Sequence, residues 1–160
     1  ITDVELGDDG IYVAHFKHTG RRNFIVHGYT EDGDKEYLVN EIGNYDGTVL
    51  LSDNGSYMFN ITADGNWEYT IDKLETTTEK SFSGKGDMVT PIFMDSSPVW
   101  TFKHDGRSNF IVRLYTAEGT DLLVNEIGSY NGEQIVVIPT GGVAFFEITA
   151  DGNWSIAPKK

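Results

Sequence analysis

The feature that most constrains this chain of 160 residues is an internal repeat. Four blocks return about 86 residues later: Phe-Lys-His at 16–18 and 102–104, Asn-Phe-Ile-Val at 23–26 and 109–112, Leu-Val-Asn-Glu-Ile-Gly at 38–43 and 123–128, and Ile-Thr-Ala-Asp-Gly-Asn-Trp at 61–67 and 148–154. Agreement of this extent indicates that one module was duplicated. The repeat is longer than the roughly 20–50 residues of a solenoid unit and is the size of a small domain.

The repeat predicts two tandem domains joined by a linker. Residues 75–84 are rich in Thr, Glu, Lys and Ser and end in glycine, a composition typical of a linker. We therefore expect a first domain at residues 1–74, a linker at 75–84 and a second domain at 85–160. The alternative is one sandwich shared by both copies, and the polar linker argues against it.

Short runs of alternating apolar and polar residues predict strands along the whole chain. In one clear case, Phe110, Val112 and Leu114 share a strand face. Turn residues recur about every 8–12 positions, which gives six or so strands in each copy. The predicted fold class is therefore all-β, with two tandem small antiparallel β-sandwich domains of jelly-roll type.

Two turn motifs belong to this prediction. Asp-Gly at residues 64–65 and 151–152 favours a tight turn with positive φ at both central residues. Each copy is thus expected to end in a β-hairpin whose return strand carries Trp67 or Trp154. Tyr-Asp-Gly at residues 45–47, which the second copy repeats with asparagine for aspartate, predicts another turn.

Charge and composition narrow the possible partners. The net charge is −13, which opposes binding to nucleic acid or to an anionic membrane surface. The simplest role of this negative charge is to keep the protein soluble, and the alternative is that it binds cations or basic partners. No apolar run of about 18 residues is present, so membrane insertion is not expected. The absence of cysteine excludes disulfides and thiolate metal sites and suits a Gram-positive cell surface.

Catalytic motifs are missing from the sequence. It has no Gly-x-Ser-x-Gly elbow, no His-Glu-x-x-His, no P-loop and no cysteine nucleophile. A domain of about 75 residues also seldom encloses a substrate cleft of about 300 Å³ or more. We therefore expect that the protein is not an enzyme, and a small hydrolase with paired carboxylates is a distant third hypothesis.

Polar and aromatic residues that recur in both copies are the candidate ligand-binding residues: Asn40, Glu41, Tyr45, Trp67, Asn125, Glu126, Tyr130, Trp154, Arg21, Arg107, His18 and His104. Each has a structural alternative. The histidines stand before glycine turns and could cap loop backbone groups. No second histidine recurs at ligand spacing, so no metal is predicted. The arginines offer a rigid fork for an internal carboxylate or an acidic ligand.

The Asn-Glu pairs and the aromatic residues each have two interpretations, one structural and one ligand-binding. Asn40 and Glu41 follow a strand and fit a structural turn, or their oxygens could bind sugar hydroxyls or calcium. No EF-hand loop supports calcium, so no cofactor is predicted. Trp67 and Trp154 fill the core, or they form a platform that stacks on sugar rings and that Tyr45, Tyr130 and Trp100 could join.

The repeated blocks together resemble a repeat module of bacterial secreted and surface proteins that carries no functional name. Its pattern is a Gly-Asp-Val start, His-x-Gly-x-x-Asn-Phe-x-Val, Leu-Val-Asn-Glu-Ile-Gly-x-Tyr-x-Gly and Ala-Asp-Gly-x-Trp. The second copy carries these blocks at residues 86–89, 104–112, 123–132 and 150–154. The first copy matches three blocks fully and has a looser start at Asp3 and Val4. More distantly, the layout is similar to pre-peptidase C-terminal and carbohydrate-binding accessory domains.

These observations favour a non-catalytic binding or adhesion module of a secreted or cell-surface bacterial protein. The candidate ligand is a carbohydrate or a cell-wall polymer. The alternative is a purely structural pair of spacer domains that displays another domain. In either case we expect an extracellular location and a chain that belongs to a larger polypeptide.

Overall fold

The structure is a computed structural model that describes residues 2–159. It divides into two compact units, one ending at Leu74 and the other beginning at Glu75. The predicted all-β class is confirmed, because both units consist of antiparallel sheets and no helix occurs between residues 2 and 159. Over the same residues, no helix is therefore long and apolar enough to cross a membrane.

Seven strands build the first unit: β1 (Thr2–Leu6), β2 (Tyr12–Thr19), β3 (Asn23–Thr30), β4 (Lys35–Ile42), β5 (Tyr45–Leu51), β6 (Gly55–Thr62) and β7 (Asn66–Lys73). They form one sheet in the order β1-β6-β3-β4 and another in the order β5-β2-β7. Phe16, on the second sheet, packs against Phe24 and Phe59 of the first, with ring centroids 6.5 and 5.4 Å away. Each of these buried rings contributes about 1.5–3 kcal/mol, so the two sheets share one apolar core.

Eight strands build the second unit: β8 (Phe82–Lys85), β9 (Met88–Val89), β10 (Val99–His104), β11 (Asn109–Thr116), β12 (Gly119–Ile127), β13 (Tyr130–Ile135), β14 (Ala144–Ala150) and β15 (Asn153–Pro158). The sheets have the orders β12-β11-β14-β9 and β13-β10-β15-β8. Phe110, Val112 and Leu114 all point into a core of this unit's own, as their alternation predicts.

The two units share one strand order apart from a single strand. When the repeats are matched, β9 to β15 take the places of β1 to β7. The same register shift also follows Val26 on β3 and Val112 on β11. Among residues 2–74, no strand corresponds to β8. Strand β8 pairs with the outer edge of β15 and makes that sheet four-stranded instead of three-stranded.

Strand β8 comes from the segment expected to be the linker. Within residues 75–84, Thr76 forms a bridge with Ile92, and Phe82 begins β8. The Phe82 ring lies 5.1 Å from that of Phe93, which is buried in the core of the second unit. This apolar contact explains why a segment of otherwise polar composition is folded into the unit.

The predicted Asp-Gly hairpins are wrong. Strand β6 pairs with β1 and β3 whereas β7 pairs with β2, so the turn between them crosses from one sheet to the other. Gly65 does not have positive φ. It is needed instead because a Cβ there would collide with the carbonyl oxygen of Thr19. Pairing with β2 over eight residues outweighs the local turn preference of Asp-Gly.

The turn predicted at Tyr45 to Gly47 is also wrong. These residues begin β5, which pairs with β2. The turn lies just before them at Gly43, which has a φ of 90°. The N–H of Gly43 donates a hydrogen bond to the carbonyl of Arg22 at 2.9 Å. Glycine takes this left-handed conformation at little cost, so it fixes where the chain reverses.

Candidate ligand-binding surface

The histidine, tyrosine and tryptophan predicted as site residues lie in one row across three strands. In the first unit, His18 on β2 is paired with Tyr45 on β5 and with Trp67 on β7. In the second unit the same row consists of His104, Tyr130 and Trp154. Directly paired residues project to the same side of a sheet, so each row borders the interior of its sandwich.

Both histidines are buried in these rows and have a structural role. His18 is buried, and its ring stacks on Phe24 with centroids 4.6 Å apart. Its Nδ1 donates a hydrogen bond to the carbonyl of Gly43 at 2.7 Å, since a carbonyl can only accept. His104 makes the equivalent stack on Phe110 and the equivalent bond, 2.8 Å long, to the carbonyl of Gly128. The two rings therefore tie a strand end to a turn.

Each buried histidine faces an aspartate that the sequence analysis did not select. His18 Nε2 lies 3.3 Å from Oδ1 of Asp64, and the distance from His104 to Asp151 is the same. The other carboxylate oxygen of Asp64 accepts hydrogen bonds from the backbone N–H groups of Arg21 and Arg22, at 3.0 and 3.1 Å. The recurrence of both aspartates was the signal that could have pointed to this role.

Backbone hydrogen bonds set the protonation of these aspartates. The N–H of Arg21, followed by that of Arg22, outweighs desolvation and holds the pKa of the Asp64 carboxyl below its ordinary value. Burial acts to raise the pKa of Asp151. The N–H groups of Arg107 and Ser108 and the neighbouring His104 outweigh that effect, and this pKa is lowered as well.

The two arginines use their backbone for the fold and leave their side chains exposed. Arg107 repeats the contact of Arg21, because its N–H donates to Asp151 Oδ2 at 2.9 Å. Within residues 2–159, neither guanidinium forms an ion pair with a carboxylate. The internal ion pair considered for them is therefore absent from the described residues, and both guanidinium groups face solvent.

A depression of about 510 Å³ adjoins Arg21 in the first unit. Its lining residues come from the β2–β3 loop, the end of β4 and the β6–β7 turn: Arg21, Arg22, Asn23, Ile42, Thr62, Ala63 and Asp64. Asp64 joins the two loops through its bonds to the arginine backbone, so the lining is held by hydrogen bonds across the sandwich end.

Ile42 and its repeat equivalent Ile127 stand out on this surface. They are 77% and 79% exposed, although isoleucine at a strand end is usually a core residue. Ile42 is paired with Asn23, next to the pair of Glu41 with the core residue Phe24. Successive pairs face opposite sides of a sheet, so Ile42 faces outward. Neither isoleucine was predicted as a site residue, because both look like core positions in the sequence.

The Asn-Glu pairs do not join the aromatic rows. Asn40 is exposed and paired with Ile25, and Asn125 is likewise exposed and paired with Ile111. Because neighbours along a strand point to opposite faces, the asparagine and glutamate side chains diverge. Glu126, like Asn125, is exposed on β12. Between residues 2 and 159, no three His, Asp or Glu side chains are grouped as metal ligands.

The two repeat tryptophans differ in their surroundings. Trp67 is 42% exposed, whereas Trp154 is only 4% exposed. The indole Nε1 of Trp154 donates a hydrogen bond to the carbonyl of Gly86 at 2.9 Å. Tyr45 and Tyr130 are partly buried against their cores. Of the five aromatic residues considered for a sugar platform, which include the fully buried Trp100, only Trp67 is exposed.

The comparisons with known proteins add no relative to this description. Neither the protein-family models, the curated proteins nor the solved structures give a match to the chain. The class that the structure itself defines is an all-β protein with two antiparallel, sandwich-like units of related strand order.

Proposed function

We propose that this protein is a non-catalytic binding or adhesion module of a secreted or cell-surface bacterial protein. In this proposal, the ligand lies on the sandwich end formed by Arg21 and Ile42 in the first unit and by Arg107 and Ile127 in the second. The candidate ligand is a carbohydrate or a cell-wall polymer.

The observation that carries the proposal is an exposed isoleucine and an exposed arginine that line one depression in the first unit and that both recur, exposed, in the second. Ile42 and Ile127 each leave more than three quarters of the side chain in contact with water. Such exposure gains nothing for the fold, so its repetition favours a contact surface. An aliphatic side chain can cover the C–H face of a sugar, and the arginine fork can bind hydroxyl or carboxylate groups beside it.

A binding assay on the whole chain tests this proposal. The probes are a glycan array and purified Gram-positive cell walls, with retention of the chain as the readout. The double variant Arg21→Ala/Arg107→Ala should lower retention at least about tenfold, because arginine is a frequent binding hot spot. The double variant Ile42→Ser/Ile127→Ser should also lower retention.

A matched control separates this surface from general changes in polarity. Ile135 on β13 is 72% exposed and lies outside both copies of the surface, so Ile135→Ser should leave retention unchanged. Equal losses for Ile135→Ser and for the Ile42/Ile127 variant would contradict the assignment of the site. No retention of the unmodified chain on any probe would contradict the carbohydrate proposal.

The structural spacer is the second candidate function, and one observation favours it. His18, His104 and Trp154, three of the recurring candidates, are buried in their units. The repetition of the two histidines is therefore accounted for by folding alone. A chain that is retained on no probe but is needed to display a fused reporter domain on the cell surface would support the spacer.

A further inference from the structure

The outer edge of β7 is an open sheet edge at the place where the second unit carries β8. Among the described residues, β7 pairs only with β2. Its counterpart β15 pairs with β10 on one side and with β8 on the other. The second unit therefore shows how this edge is completed in a unit of the same strand order.

The backbone groups of β7 are arranged to accept a strand. Leu74 directs its N–H toward the carbonyl of Ile11, on the β2 side. Because directions alternate along a strand, Trp67, Tyr69 and Ile71 direct their N–H and C=O groups away from β2. No backbone hydrogen bond to these three residues from the open side is formed between residues 2 and 159. Exposed edges of this kind are templates for strand addition.

The chemistry of the missing strand can be read from β8. In the second unit Gly84 is paired with Trp154, and Ser83 is paired with Ser155. A Cβ on Gly84 would lie 2.7 Å from Cζ2 of Trp154, so glycine is required beside the indole. Trp67 is the equivalent indole on β7, and its 42% exposure corresponds to the absence of such a cover.

Charge adds a second requirement on the occupant. Strand β7 carries two exposed acidic residues, Glu68 and Asp72, and one basic residue, Lys73, whose ammonium group is bound by Asp9 at 2.8 Å, on a chain with a net charge of −13. Strand β8 itself ends in Lys85, and Lys80 precedes the strand by two residues. An incoming strand that carries lysine beside its glycine would therefore be attracted to this edge, whereas an acidic strand would be repelled.

We propose that the β7 edge binds an extended, lysine-bearing peptide strand of β8 chemistry, antiparallel to β7 and with a glycine next to Trp67. This inference is independent of the proposed carbohydrate surface, since it uses the backbone edge of β7 and none of the residues that line that surface. Binding would extend the three-stranded sheet β5-β2-β7 to the four strands that the second unit has.

The test uses the whole chain and a synthetic peptide with the sequence of residues 80–86, which carries both lysines and no acidic side chain. Trp67 is the exposed tryptophan, while Trp100 and Trp154 are buried, so it dominates quenching by acrylamide. We expect saturable protection of Trp67 from quenching. A peptide with valine in place of Gly84 should bind about 5- to 150-fold more weakly, the factor that corresponds to an overpacking cost of about 1–3 kcal/mol.

Amide chemical shifts locate the bound peptide. Shifts concentrated in residues 66–71 would support the proposal. Shifts in residues 153–156 would instead show that the peptide exchanges with β8, and this result would overturn it. Equal binding of the glycine and valine peptides would also overturn it. A further result would overturn it: sedimentation that shows the chain to dimerise through β7, with the dimer excluding the peptide.

A variant of the chain provides the matched control. Trp67→Lys places a charge on the edge and removes the indole, and the exposure of Trp67 makes loss of folding unexpected. Trp67→Phe keeps an apolar ring. We expect the lysine variant to lose peptide binding by calorimetry and the phenylalanine variant to retain it, with unchanged circular dichroism for both. Retained binding in a folded Trp67→Lys chain would count against the site.

Discussion

The carboxylate of Asp64 accepts a hydrogen bond of 3.0 Å from the backbone N–H of Arg21, and through it the β6–β7 turn holds the β2–β3 loop. The same oxygen also accepts a bond from Arg22. Loops are usually the most variable part of a β-sandwich. Here they are fixed by a side chain that recurs in the second unit as Asp151.

Substitution of Asp64 by alanine should therefore destabilise the first unit. The change leaves two backbone N–H groups without their acceptor and removes the charge that faces His18. The expected result is a lower urea midpoint for Asp64→Ala than for the unmodified chain, followed by circular dichroism. Asp32→Ala, at an exposed position in the β3–β4 turn, is the control and should leave the midpoint unchanged. Equal midpoints for the two variants would contradict this role.

The lowered pKa values of Asp64 and Asp151 predict the direction of the pH dependence. Both carboxyls have a pKa below the ordinary value of 3.8 in the folded chain. The unfolded chain thus binds protons first as the pH falls. Their stabilising contribution is present above the unfolded pKa and is lost as the pH drops from about 4 through the folded pKa.

Acid titration of unfolding checks this expectation. The free energy of unfolding should fall between about pH 5 and pH 2, and the fall should be smaller in Asp64→Asn/Asp151→Asn, which cannot titrate at these positions. Urea melts at several pH values provide the measurement. An identical slope for the variant would show that other carboxyls account for the acid sensitivity.

Trp154 and Trp67 should respond differently to truncation. Trp154→Ala removes a buried indole and its hydrogen bond to Gly86, so a loss of about 3–5 kcal/mol is expected. Trp67→Ala removes a side chain that is already 42% exposed, and less than about half of that loss is expected. Urea denaturation followed by circular dichroism measures both. Comparable losses would mean that the two indoles are equally buried in solution.

Phe82 tests whether residues 75–84 contribute to the core of the second unit. Phe82→Ala should cost about 2–3 kcal/mol, below the value for a fully buried phenylalanine, because the ring is partly buried against Phe93 and Phe146. Thr78→Ala, in the same segment but outside β8, is the matched control. If residues 75–84 were only a linker, both variants would unfold at the same urea concentration.

Much of the fold was predictable because it follows from strict alternation. Phe110, Val112 and Leu114 had to share a face, and they do so in the core. Trp100 alternates with Phe102, and both are buried. The assignment of strands to sheets was not predictable in the same way. Asp64 and Gly65 suggest a local hairpin, whereas pairing with β2, a strand about 50 residues earlier, decides where β7 lies.

The candidate surface was predicted in part. Arg21 and Arg107 were selected from the sequence, and both side chains are exposed. Ile42 and Ile127 were missed, because a strand-end isoleucine carries no sign of the face that it joins. The histidines and Trp154 were selected because they recur, but recurrence marks residues that a fold needs twice as readily as residues that bind a ligand.

The segment Ala-Asp-Gly-Asn-Trp shows most clearly what the sequence determines and what only the tertiary structure decides. The sequence by itself determined the repeat, the alternation of the strands and an identical segment at residues 63–67 and 150–154. Only the tertiary structure decided that Trp154 is buried and Trp67 is open to solvent. The physical reason is β8, whose glycine packs on the Trp154 indole from a segment almost 70 residues away.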